Sequence, residues 1–284
     1  MSGPTRWREQ AGFTLVELLL AMILFLITSS LIYASLQLME KVQHSTSEKA
    51  GSQATLRTGT QAVAAELREV NNVAALGWSD LKTINSNSVT YWGMRASGMT
   101  CEVTGTGIKI KVGSTYSAAR RPIMIRDSIL IFADRDTLLT SDDQWVQAPV
   151  LGPPTNSTCP DGTAALSITT PSLTVADYHV PGPIRIFELM ELAIVTTGGR
   201  QYLGARSISG SNSLEPVVGP ITAAGLQFVY RNQAGAVTTT PSAVRTIDLT
   251  VRSQTARPVN RLGGGSGSLL TYSLALRVLI RNSR

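Results

Sequence analysis

The chain has 284 residues, 43% of them hydrophobic and 15% charged, with a formal net charge of +6. That length holds one medium domain plus an extended element, or two small domains, and the composition excludes a disordered or highly charged chain. The basic surplus is scattered, its densest run being Arg120-Arg121, so it reads as a solvated surface and predicts no specific nucleic-acid partner.

Residues 1–12 form a polar, mildly basic leader ending at Gly12, and Phe13-Thr14-Leu15-Val16-Glu17 then opens an apolar stretch. Between Leu18 and Met39 there is no Lys, Arg, Asp or Glu, which meets the requirement of about 20 residues for a helix that crosses a bilayer. Arg6 and Arg8 place the leader on the cytoplasmic side and everything after the span outside it. An ordinary secretory signal has a shorter apolar core followed by its cleavage site. Here the small residue, Gly12, comes before the apolar run, so a cut there leaves the hydrophobic segment on the product.

Glu17 stands one turn inside an apolar helix, where a carboxylate at mid-bilayer costs about 2.5–3.5 kcal/mol and less near the edge. Such a group calls for a cation. Cleavage after Gly12 creates one, the α-amino group of Phe13, four residues earlier on the same face, within the chain or on a neighbour stacked with an axial offset. The alternative is a Glu that snorkels to the interface beside an uncleaved leader.

Gly12-Phe13-Thr14-Leu15-Val16-Glu17 resembles, over six unbroken positions, the processing motif of type IV pilins and type II secretion pseudopilins. The resemblance implies that a prepilin peptidase cuts after Gly12, that Phe13 becomes the N-methylated terminus, and that Glu17 sets register during assembly. It implies as partners the peptidase, other minor and major pilins and an inner-membrane assembly platform, besides the bilayer itself. The head would be periplasmic before assembly and on the pilus or cell surface after it.

No proline occurs between Pro4 and Pro122, so the helix is free to continue past the apolar stretch. Leu56, Val63, Leu67, Val70 and Ala74 form a stripe at helical spacing that should pack on a globular body, with Glu66, Arg68 and Glu69 on the other face. The expected helix therefore runs over 13–76, about 95 Å at 1.5 Å per residue, its part 13–38 in the membrane, with Gly51 and Gly59 as places for a bend.

From residue 77 to 284 the texture changes to short alternating runs separated by Gly, Ser, Asn and Pro, which predicts a β-rich head. Predicted strands are Ser88–Trp92, Ile108–Val112, Ser128–Ala133, Ala165–Thr169, Ile184–Val195, Tyr202–Arg206, Leu226–Tyr230, Val244–Arg252 and Tyr272–Ile280, with Ile247, Leu249 and Val251 sharing a face. Pro181–Pro183 and Gly263–Gly267 read as loops. The fold class is α+β, a long N-terminal helix on an antiparallel sheet. The segments Leu226–Arg231, Val244–Ser253 and Leu276–Asn282 are similar to minor pilins of the PilW type and, more distantly, to J-type pseudopilins, leaving about Gly93 to Pro181 unmatched. A type II secretion pseudopilin is the rival within this class.

Chemistry is sparse. There is no GxSxG, HExxH, P-loop or dinucleotide fingerprint, and of two histidines only His179, before Pro181, is placed to serve a triad in a membrane-anchored extracytoplasmic hydrolase, the rival of another class. Neither an enzyme nor a cofactor is expected. Cys101 and Cys159, in an oxidising compartment, either close a loop of about sixty residues worth about 4 kcal/mol or stay as two buried thiols; with no CxxC they do not read as a zinc site. Asp134, Asp136, Asp142 and Asp143 offer hard oxygens to Ca²⁺ but lack the loop pattern that binds it, with Arg135 between them, so a solvated turn is the plainer reading. Trp145, Tyr91 and Trp92 are read as core residues.

Overall fold

The computed structural model describes residues 14–73, 78–114, 116–117, 123–259 and 267–280. The leader, Gly12, Phe13, Ala74 and most of the predicted loop 263–267 lie outside them. One helix, α1 (Leu15–Arg68), runs unbroken for 54 residues, about 81 Å at 1.5 Å per residue. It ends eight residues short of residue 76, with Glu69 as its C-cap, because the chain turns there: Asn72–Val73 is already a short strand, and the Asn72 amide donates to the carbonyls of Pro241 and Val244. No break occurs at either glycine. Gly51 is exposed with open space around it, whereas Gly59 is buried where the helix crosses the sheet.

The remaining elements are strands β1 (Asn72–Val73), β2 (Trp78–Ser79), β3 (Leu81–Ile84), β4 (Ser88–Thr104), β5 (Gly107–Lys111), β6 (Tyr116–Ser117), β7 (Ser128–Ala133) and β8 (Gln144–Pro149). They are followed by β9 (Thr155–Thr158), β10 (Ala164–Thr169), β11 (Pro183–Thr197), β12 (Arg200–Ser207), β13 (Glu215–Arg231), β14 (Thr246–Gln254) and β15 (Thr271–Leu279). Among the described residues thirteen of these form one antiparallel sheet, in the main order β15-β14-β13-β12-β11-β4-β5-β10-β9, with β3, β6, β7 and β8 attached beside it. The fold is the expected α+β arrangement of one long N-terminal helix followed by an antiparallel sheet.

Two hydrophobic clusters build the head. The first lies under the helix, where Leu56, Val63 and Leu67 meet Leu226, Phe228, Ile247, Leu249, Val251 and Val278. The stripe thus does what its spacing dictates, and the alternation in β14 puts Ile247, Leu249 and Val251 inside, each fully buried. The second is distal, built from Ile108, Ile110, Ile129, Ile131, Ile168, Ile184 and Ile186. The two are joined by β4 and β11, which pair from Ser88–Ala193 to Met99–Pro183 with one bulge at Ile186/Phe187.

Candidate functional site

Thr14 is the N-cap of α1, in extended conformation, and Glu17 is the third residue of the helix. The Glu17 backbone N–H donates to the Thr14 hydroxyl at 3.2 Å, while the Glu17 carboxylate accepts from both the Thr14 backbone N–H and its hydroxyl at 3.2 Å. This is a reciprocal capping box, Thr-x-x-Glu. The sequence carried that signature at Thr14-Leu15-Val16-Glu17, and reading Glu17 only as a residue in need of a cation overlooked it. The box gives the carboxylate a local reason to be there: it satisfies orphan helix donors and sits at the positive end of the helix dipole. Glu17 is nevertheless exposed, and two carboxylate oxygens have about four acceptor sites, so acceptor capacity remains for an incoming cation.

Beyond this cap the helix is a bare apolar rod. Its apolar side chains are exposed from Leu15, at 77%, through Met39, and it is long and apolar enough to cross a membrane. Three hydroxyls within it bond to the helix itself: Thr28 donates to the carbonyls of Leu24 and Phe25, Ser30 to Ile27 and Ser35 to Leu31, at 2.8–3.0 Å. A hydroxyl bonded in this way can enter hydrocarbon without an unpaired polar group.

The head begins to grip the helix at residues 44–52. His44 Nε2 lies 3.3 Å from an Arg257 guanidinium nitrogen, the Glu48 carboxylate accepts from the Arg257 backbone N–H at 3.3 Å, and Ser52 meets Ser253 at 3.4 Å. Higher up, the Tyr91 hydroxyl donates to the Glu66 carboxylate at 2.6 Å. Glu66 is therefore not on a solvent face, as its place opposite the stripe suggested; a half-buried carboxylate at the helix edge ties α1 to β4.

Cys101 on β4 and Cys159, just after β9, form a disulfide with Cα atoms 5.7 Å apart, spanning 58 residues at the edge of the distal core. The acidic residues divide. Asp134, Asp142 and Asp143 bring carboxylate oxygens within 4.8 Å of one another. Asp136 turns to its own loop, its carboxylate accepting from the Leu138 N–H and its backbone N–H donating to Asp142. Arg135 leaves the group to pair with Asp177. His179 is exposed, its Nε2 3.4 Å from the Arg135 carbonyl oxygen. Tyr91 is a core residue, but Trp145 is not: it is 37% exposed on β8, edge-on to Phe132 and covered by the Arg185 guanidinium at 4.6 Å. The sheet ends at β8, so a residue there has one neighbouring strand to bury it.

Perturbed acidities in the head trace to ion pairs and burial. Asp248 is held below the usual carboxylate range, first by the hydrogen bond from Arg277 and then by Arg231. Asp161 is lowered by the hydroxyl and N–H of Thr163 and by Lys111. Burial raises the Tyr230 phenol, whose hydroxyl donates to the carbonyls of Asn85 and Ser88. Tyr230 and Asp248 sit on the paired strands β13 and β14, and Asp161 lies two residues after Cys159.

A family model described as the prokaryotic N-terminal methylation motif matches residues 7–33, the segment that contains the capping box and most of the apolar rod. No curated protein and no solved structure matches the chain. The motif and the exposed apolar helix that carries it support a type IV pilin-like protein.

Proposed function

We propose that this chain is a minor pilin of a type IV pilus. A prepilin peptidase hydrolyses the Gly12–Phe13 bond, releasing the leader and freeing the Phe13 α-amino group, which is then methylated. The anchored protein waits in the inner membrane with its head outside the cytoplasm. On assembly α1 leaves lipid for a bundle of similar helices, where the Glu17 carboxylate meets the N-terminal amine of a neighbour, and the head takes a place on the filament surface or at its tip. The subunit acts by structure, as part of a complex that primes the filament for motility, adhesion or DNA uptake.

The observation that carries this reading is the geometry of α1. Apolar side chains from Leu15 to Met39 are exposed around the whole helix, whose N-cap, Thr14, comes two residues after Gly12. A rod that is apolar on every side is built to be surrounded, first by lipid and then by other helices. Intact-mass and N-terminal analysis of the full-length protein from membranes and sheared filaments, with and without the candidate peptidase, tests it. The expected product starts at N-methylated Phe13 and is present in sheared filaments. A chain still starting at Met1 or Ser2, or one cut beyond Met39, overturns the proposal.

A further inference from the structure

The sheet ends at β15, the strand beside the helix. Its register with β14 fixes which backbone groups are used. Ile280 N–H donates to Arg245 C=O, and Thr255 N–H to Leu270 C=O, so even-numbered residues of β15 bond to β14 throughout a register that has no shift from Thr271–Gln254 to Leu279–Thr246. The N–H and C=O groups of Thr271, Ser273, Ala275, Arg277 and Leu279 consequently point away from the sheet. All five residues are exposed, Leu279 at 66%. Proteins normally blunt such an edge with a bulge, a proline, a lysine or a very short strand. β15 has nine residues with no bulge, proline or lysine, and its one charge, Arg277, is held by Asp248, whereas the edge strands β9 and β8 have four and six residues and β8 ends in Pro149.

We propose that β15 is a docking edge that receives an extended strand from the head of a different membrane-anchored subunit, running antiparallel to β15 and carrying acidic side chains. The antiparallel sense continues that of the β13–β14 and β14–β15 pairings, and with it the fold excludes β15 of a second copy. Helix residues Gln53, Leu56 and Arg57 line a groove with Tyr272–Leu274. Past the helix end, Asn72 bonds Val244, the neighbour of Arg245, which bonds Ile280. β15 therefore runs in the same sense as α1. Antiparallel pairing of β15 with β15 of a second copy would set two α1 helices in opposite directions, which one bilayer does not permit. The edge strands β8 and β9 of a second copy are too short to fill nine positions. The charge follows from the exposed neighbours Arg57, at the groove, and Arg252, opposite Ser273 in register. Arg277 and Asp248 already hold each other, with Arg231 on the same carboxylate. Backbone pairing supplies affinity in this mode and side chains supply the choice of partner.

This inference rests on the membrane anchoring of the pilin reading but has its own test. Hydrogen exchange of the Thr271–Leu279 segment is compared between full-length protein in native membranes and protein purified in detergent. Up to five additional amides should slow by roughly tenfold or more in membranes, since the inward set is protected in both. Ala275→Pro removes one outward N–H and no internal bond, a substitution that edge strands accept. It should abolish the added protection while leaving the cooperative unfolding of the detergent-purified head near wild type. If Ala275→Pro unfolds the head, the exchange comparison on the wild-type chain decides alone. Equal exchange in membranes and detergent overturns the proposal, as does self-association of the purified protein that Ala275→Pro abolishes, which would make the partner a second copy. A processed, filament-borne chain with an unprotected edge sinks this inference alone; an unprocessed chain sinks the pilin reading, and the membrane exchange still decides the edge.

Discussion

Replacing Gly59 and Gly51 by alanine in turn isolates the close approach of helix to head at Gly59. An alanine in a helix interior gains about 1 kcal/mol over glycine wherever the site is open. At Gly51 a Cβ meets nothing within 4 Å, so Gly51→Ala should stabilise the protein by up to that amount. At Gly59 the same atom would fall 2.3 Å from Val218 Cγ2 and 3.4 Å from the Val217 carbonyl oxygen. Val218 is itself buried, and a β-branched side chain has little freedom to rotate away. Overpacking of this kind destabilises by about 1–3 kcal/mol. The propensity gain is common to both variants and cancels in the comparison, so Gly59→Ala should be less stable than Gly51→Ala by about 1–3 kcal/mol. At about 2–4 °C per kcal/mol for a head of this size, the difference is readable by thermal unfolding of the full-length protein in detergent, followed by near-ultraviolet circular dichroism. Adding Val218→Ala should restore part of the loss, a coupling of about 0.5–3 kcal/mol for residues in contact. Equal shifts in the two variants, or additivity with Val218→Ala, would refute the claim that Gly59 is where β13 sets the helix-to-sheet distance.

Glu17→Gln retains the hydrogen-bonding half of the capping box but removes the charge; it should leave membrane insertion intact while reducing recovery in sheared filaments as Glu17→Ala does, and normal incorporation of either variant would end the charge-pairing role. Reducing the Cys101–Cys159 disulfide, or replacing both residues by alanine, should lower stability by about 4 kcal/mol for a loop of this span, measured by urea unfolding with and without reductant. Tyr91→Phe breaks a hydrogen bond to a carboxylate and should destabilise by about 1.5–3 kcal/mol, by the same assay. Because the Asp248 carboxyl is lowered in the folded state, its contribution is present at neutral pH and is lost as pH falls through that lowered value; Asp248→Asn should flatten the acid limb of a stability–pH profile, and an unchanged limb would show that the exposed Arg277 and Arg231 partners contribute nothing measurable.

The parts of this fold that were legible in the sequence are those where one physical demand acts alone. An uncharged, mostly apolar run from Leu18 to Met39 needs an apolar surrounding, and the buried strands of β7, β11 and β14 announce themselves through β-branched runs or strict alternation. All nine predicted strands occur, though β4 and β13 are far longer than their predicted cores. β4 continues through Gly93 and Gly98, and β13 begins eleven residues early and crosses Pro220 and Gly225. Gly225 lies inside β13, where its missing side chain lets the backbone approach the Arg252 carbonyl; a Cβ would be 2.7 Å away. The unpredicted strands β1, β2, β3, β6, β8 and β9 are short or lie at margins; β8 and β9 bury almost nothing, so no pattern marks them. At the N-terminus Thr14 and Glu17 were individually visible. Their reciprocal bonding was missed because the demand for a counter-charge explained Glu17 before the cap was considered.

The capping box and the charge pair place compatible demands on Glu17, and together they suggest how the subunit changes partners. In lipid a carboxylate near the span's edge needs local donors, which Thr14 provides through its N–H and hydroxyl. These bonds are 3.2 Å long and exposed, and an exposed hydrogen bond of this kind contributes only about 0.5–1.5 kcal/mol. An approaching ammonium in a water-poor helix bundle interacts with the same carboxylate more strongly than it would in water, because the surrounding dielectric constant is low. The cap therefore holds Glu17 in place without satisfying it so fully that a neighbour's amine could not displace or share the bond. Thr14→Val, which removes the hydroxyl and leaves the backbone N–H, should accordingly impair insertion or helix initiation more than the helix–helix step. A loss of incorporation as severe as that of Glu17→Ala, with insertion unchanged, would mean that the hydroxyl itself takes part in the contact between subunits.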